Sequence, residues 1–153
     1  MKAIGTIDSS KNFIDFEIEK PILRPHDLLI KVKAISINPV DTKVRKGIKG
    51  NLAEPKILGW DGLGTVVELG SETKLFKVGD KVFWAGDVTR SGSNAEFQAV
   101  DERIVGFAPK NLTKEKAVAM PLTSLTAYEL LFEKLEVTDE SKGKSLLIIN
   151  GAG

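Results

Sequence analysis

From Met1 to Phe107 the chain is cut into short extended segments by Gly, Pro, Asn and Asp, and that punctuation limits its fold more than any other feature. Runs of this length are too short for core helices and suit strands joined by turns. Met1–Thr6 and Phe13–Glu19 flank a turn cluster at Asp8-Ser9-Ser10-Lys11-Asn12. In the second run Phe13, Asp15, Glu17 and Glu19 oppose Ile14, Phe16 and Ile18. Leu28–Ile37 alternates well, with Leu28, Ile30, Val32, Ala34 and Ser36 on one face. Asn38-Pro39 closes that strand, because proline lacks the ladder donor. Thr65–Gly70, Val82–Trp84, Asn94–Val100 and Arg103–Phe107 are further strand-like runs. The expected architecture is mainly β, a partly closed barrel or sandwich.

The pattern changes after Phe107. Thr113–Met120 reads as a helix with Thr113 as N-cap, and Pro121 stands where a new helix would begin. Leu125, Tyr128, Phe132 and Leu135 share one helical face. The final run, Leu146-Leu147-Ile148-Ile149, reads as a buried strand, and Asn150-Gly151-Ala152-Gly153 as the opening of a glycine turn. Such a turn either simply ends a strand or lets the backbone approach a dinucleotide pyrophosphate.

Composition removes several function classes. The net charge is +1, from 22 basic and 21 acidic residues, so bulk charge offers no nucleic-acid or membrane footprint. Zero cysteines exclude disulfides and thiolate metal sites, and the single histidine, His26, excludes a two-histidine site. No signal-peptide core or membrane-length apolar run is present, and the expected location is cytoplasmic.

Three segments carry candidate chemistry. Asn38 and Asp41 lie at a strand exit, where polar side chains meet ligands or make an Asx turn and a helix cap. The closely spaced Gly59, Gly62 and Gly64 mean close backbone approach, either to a ligand or within a tightly coiled barrel. Thr123, Ser124 and Thr126 either satisfy the start of a helix or line a cofactor cleft. His26, in a loop, reads as a solvated residue.

In order and spacing these segments resemble the medium-chain dehydrogenase/reductase superfamily, and in particular its quinone-oxidoreductase-like branch. Asn38-Pro39-Val40-Asp41-Thr42 is similar to N-x-x-D-T. Leu58–Val66 resembles G-x-[DE]-x-x-G-x-V. Val78-Gly79-Asp80-Lys81-Val82 matches V-G-D-x-V, and Gly92–Phe97 matches G-[GS]-x-A-E-[YF]. Ala119–Tyr128 resembles the A-x-P-x-x-x-x-T-A-[YW] helix. Within the branch, Gly-Trp-Asp and Gly-Ser-Asn-Ala-Glu-Phe resemble the group of zinc-type alcohol dehydrogenase-like proteins.

The resemblance implies a GroES-like coiled β-barrel with short helices over residues 1–120. Residues 121–153 would be the linking helix and start of a truncated Rossmann cofactor domain. It implies a small-molecule substrate, a quinone or an α,β-unsaturated carbonyl, reduced by hydride from NADPH, with a homodimeric full-length protein. Asn38 and Asp41 would line the substrate side, Thr126 would contact the nicotinamide, and Gly151 and Gly153 would approach the pyrophosphate. Zinc members carry Cys where Asn38 stands and His where Trp60 stands, so no zinc is expected. Quinone reductases often carry Tyr where Lys43 stands, which removes aromatic stacking there. The alternatives are a zinc-type alcohol dehydrogenase and a non-catalytic GroES-like binding module.

Overall fold

The computed structural model describes residues 1–8, 10 and 12–149. The chain divides between Leu122 and Thr123 into two compact units. The first is built of strands, all paired antiparallel. They are β1 (Lys2–Thr6), β2 (Ile14–Glu17), β3 (Asp27–Ser36), β4 (Lys56–Ile57), β5 (Asp61–Leu69), β6 (Lys81–Ala85), β7 (Phe97–Asp101) and β8 (Val105–Phe107). They form a three-stranded sheet, β2-β1-β4, and a five-stranded sheet, β7-β3-β5-β6-β8. Ala3 bridges Ala95, and Ile4 N–H donates to the Asn94 carbonyl at 2.8 Å, tying the small sheet to the segment before β7.

Strand β3 is the spine. It pairs with β7 and β5, and register shifts at Leu29/Ile30 and Val32/Ala34 coil it against β5. Alternation predicts one buried face. Instead Asp27, Leu28, Leu29 and Ile30 are all buried, and alternation begins only beyond them. Leu28, Ile30, Val66, Val82, Trp84 and Val100 form the core, each aliphatic side chain contributing roughly 1.5–3 kcal/mol by burial. The Trp84 indole N–H donates to Gln98 Oε1 at 2.8 Å, so the buried ring leaves no polar atom unpaired.

The glycines of β5 serve this packing. A Cβ on Gly62 would run into the Trp84 ring. Gly59 sits at φ 93°, where a side chain is strained, with Ser93 and Asn94 against it. The choice between ligand contact and tight coiling falls to coiling at both positions.

Helix α1 (Pro39–Gly47) follows β3 and α2 is Lys114–Val118, with Thr113 Oγ1 accepting from Lys116 N–H as its N-cap. The sequence offers Asp41 as the helix cap. The cap is Asn38, Pro39 opens the helix, and Asp41 is N3, because proline at the first helical position costs no hydrogen bond.

The unit boundary falls in α3 (Pro121–Tyr128). In the second unit α3 runs on into a π-helical turn, Glu129–Lys134, with Leu135 N–H donating to the Leu130 carbonyl at 2.9 Å. Tyr128 and Phe132 pack with their rings tilted by 50° and 4.9 Å between centroids. Leu146–Ile149, expected as a buried strand, is exposed and pairs with none of the described strands. An apolar run becomes a strand only with a ladder partner, and none of the described strands offers one. Gly151 and Gly153 lie outside the described residues.

Candidate functional site

The turn from β3 into α1 and the start of β5 bring three polar side chains together. Asn38, Asp41 and Asp61 are 8%, 7% and 0% exposed. The Asn38 backbone N–H donates to Asp41 Oδ2 at 2.7 Å, the reciprocal half of a capping box. The Asn38 side-chain Nδ2 donates to Asp61 Oδ2 at 2.7 Å. The other Asp61 oxygen accepts the Leu122 N–H at 2.9 Å, at the beginning of α3. Ser93 Oγ donates to the Asp61 carbonyl at 2.9 Å, and Trp60 is 1% exposed. Asn38 therefore sits between two buried carboxylates, one on its backbone and one on its amide.

Burial pushes the Asp61 carboxyl above its ordinary value. The bonds from Asn38 and Leu122 oppose that shift, and the charge of Asp41 adds to it. Asp41 Oδ1 is buried with no protein donor. It belongs to a largely apolar groove of about 1000 Å³ walled by Ile4, Phe13, Phe16, Val32, Ile35 and Leu58. Asn94, which also lines that groove, has its Oδ1 buried without a protein donor as well. Arg45 lies over the Phe13 ring at 4.5 Å.

Sequence singled out Asn38 and Asp41 and missed Asp61, which stands within the recognised Gly-Trp-Asp run. Only its 0% exposure and its contacts reveal it. Thr126 belongs to the second unit, at an exposed position of α3. His26 is not simply solvated. Its Nε2 lies 3.2 Å from Glu72 and its Nδ1 3.5 Å from Glu102.

The donor set does not suit zinc. The Asn38 amide stands with the carboxylates of Asp41 and Asp61, and among the described residues no group of three His, Cys, Asp or Glu side chains could hold a metal ion. Among the described residues, too, no helix is long and apolar enough to cross a membrane.

Residues 24–123 match the alcohol dehydrogenase GroES-like domain. A zinc-type alcohol dehydrogenase-like protein of Staphylococcus epidermidis is 44% identical over 161 residues, covering 100% of this chain and 47% of that protein. The 2-methylene-furan-3-one reductase of Solanum lycopersicum is 38% identical, over 97% of this chain and 39% of its own. A solved structure of a putative zinc-dependent alcohol dehydrogenase protein from Rhizobium etli is 45% identical with a TM-score of 0.81, covering 87% of this chain and 40% of that one. The structure of Escherichia coli quinone oxidoreductase complexed with NADPH aligns at 26% identity and TM-score 0.75, over 88% and 41% of the two chains. The chain spans about half the length of the curated relatives first matched, 47% of the Staphylococcus epidermidis protein. With its mainly β, GroES-like fold, it belongs to the alcohol dehydrogenase GroES-like domain family, within the medium-chain dehydrogenase/reductase superfamily.

Proposed function

We propose that this chain is the substrate-side part of a zinc-independent, NADPH-dependent oxidoreductase that reduces quinones or α,β-unsaturated carbonyls. Residues 1–120 form its substrate domain, and residues 121–153 link to and begin a Rossmann cofactor domain. The observation that carries the reading is the buried Asn38 amide, which donates to Asp61 Oδ2, at the position where the resemblance gives zinc members a cysteine. The tomato relative's name, a reductase, and the NADPH in the Escherichia coli structure agree with it.

NADPH, when bound, supplies the hydride. The chain's own residues hold and polarise the acceptor. The Asn38 amide has two N–H bonds, and one of them is taken by Asp61. The other donates to the substrate oxygen and stabilises the negative charge that develops there. Asp41 fixes the Asn38 backbone through its 2.7 Å bond, so the amide's origin does not wander. Thr126 contacts the nicotinamide end, and Gly151 and Gly153 let the backbone approach the pyrophosphate. The full-length protein is a cytoplasmic homodimer in this reading.

The zinc-type names of the relatives favour a second reading, an alcohol dehydrogenase. One assay separates the two. The full-length protein containing this chain is given NADPH with a benzoquinone or an enone, and NADP with primary alcohols. Quinone or enone reduction without alcohol oxidation is the expected result. Zinc-dependent alcohol oxidation alone overturns the proposal.

A further inference from the structure

Of the two carboxylates bonded to Asn38, Asp61 has no stated role, and its chemistry is unusual for a purely structural residue. Its side chain has 0% exposure, and among the described residues no ion pair includes it. A buried carboxylate without a cation is costly, whereas a neutral amide could accept the Leu122 N–H equally well. What an ionised carboxylate adds is that it only accepts. An Asn side chain facing another amide can turn over and exchange its oxygen for its nitrogen. Facing a carboxylate, it cannot do so without setting oxygen against oxygen. The 2.7 Å contact therefore fixes Nδ2 of Asn38 toward Asp61. The second oxygen is held at 2.9 Å by the Leu122 N–H, and the Asp61 backbone carbonyl by Ser93 Oγ at 2.9 Å. The carboxylate is thus anchored on both of its oxygens and through its own main chain.

We propose that Asp61 is a positioning residue that sets the orientation of the Asn38 amide, and so which amide atom faces the substrate oxygen. This rests on the role given to Asn38 above. Asp61 touches no reacting atom and acts through Asn38 alone. Replacing it with Asn keeps the shape and the acceptor for Leu122. It also lets the Asn38 amide turn over, so that its oxygen faces residue 61 and its nitrogen takes the other place.

The test is a double-mutant cycle in the full-length protein, with NADPH and a benzoquinone. The variants are Asn38→Ala, Asp61→Asn and the double variant, each followed by kcat, by KM for both substrates and by thermal unfolding. Asp61→Ser, too short to reach Asn38, stands in should the asparagine variant fail to fold. The expected result is a kcat for Asp61→Asn lower by roughly 10–100-fold. KM for NADPH stays unchanged, the unfolding midpoint is no lower, and the double variant is no slower than Asn38→Ala. Wild-type kcat in Asp61→Asn overturns the proposal, as do losses that multiply in the double variant. If Asn38→Ala itself turns over at the wild-type rate, the role of Asn38 fails, and that of Asp61 with it. If Asn38→Ala is impaired and the losses multiply, only the role of Asp61 fails.

Discussion

The ion pair between Asp27 and Arg90 is the clearest place to test how this barrel is held together. Asp27 opens β3 and its side chain is 1% exposed, against 17% for Arg90. The guanidinium grips both carboxylate oxygens, Nη1 to Oδ1 at 2.9 Å and Nη2 to Oδ2 at 2.6 Å, and the Arg24 backbone N–H adds a third bond at 3.0 Å. Burial alone would raise the Asp27 carboxyl, but the bonds from Arg90 and then Arg24 more than offset it and hold it below its ordinary 3.8. Arg90→Met leaves the carboxylate buried with only the Arg24 donor. Removing one partner of a buried pair costs about 3–5 kcal/mol, and the partial exposure of Arg90 places this case at about 3. In a domain of this size that lowers the unfolding midpoint by roughly 6–12 °C. The pH dependence follows from the sign of the shift. In the wild type, a depressed carboxyl gives stability that is present above its ordinary value and lost as pH falls through the depressed one. In Arg90→Met burial dominates and the folded carboxyl titrates above its ordinary value, so acid relieves the defect. The loss should be greatest at pH 7 and shrink toward pH 4, read by urea unfolding across that range. Asp27→Asn/Arg90→Met should recover most of it. A loss under about 1 kcal/mol at pH 7, or one that is flat with pH, would refute this reasoning.

Three further outcomes follow from the same physics. Gly62→Ala drives a methyl into the Trp84 ring and should cost about 2 kcal/mol in chemical unfolding; a neutral result would mean the indole moves freely. Glu102→Ala orphans the Lys74 and Leu75 N–H groups, which now donate to Oε2 at 2.9 and 2.7 Å. It should cost about 2 kcal/mol at neutral pH. Burial pushes Glu102 up, but those bonds and His26 hold it below its ordinary 4.5, so its contribution should fade as pH drops beneath that value. Asp61 behaves in the opposite sense. Because burial raises it, its folded form weakens as pH rises from 3.8 through the raised value. Asp61→Asn should lose that part of the stability-pH curve, and an unchanged curve would contradict the assignment.

Much of the barrel was legible because its strands are bounded by residues with fixed conformational meaning. Pro39 ends β3, Thr113 caps α2, and Pro121 opens α3, each as local chemistry requires. Local chemistry could not anticipate the full burial of Asp27–Ile30, which comes from coiling around β3. The start of α1 at Pro39 follows the same local rule as Pro121, but in the sequence Pro39 reads only as the end of β3. Local chemistry also misjudged Leu146–Ile149, whose apolar character says nothing about whether a partner strand is at hand. At the site, Asn38 and Asp41 stood out as polar residues at a strand exit. Asp61 did not, because its importance lies in contacts to Asn38 and Leu122 far along the chain. The same holds for His26, whose partners Glu72 and Glu102 come from distant turns.

The most direct test of the central claim, reduction assisted by the Asn38 amide without zinc, is turnover with and without a chelator. The full-length protein is dialysed against EDTA, its metal content is measured, and NADPH consumption with a benzoquinone is compared with that of Asn38→Ala. Undiminished turnover is expected in metal-free wild type, with a loss of roughly 100-fold in Asn38→Ala. Stoichiometric zinc whose removal abolishes turnover would contradict the claim.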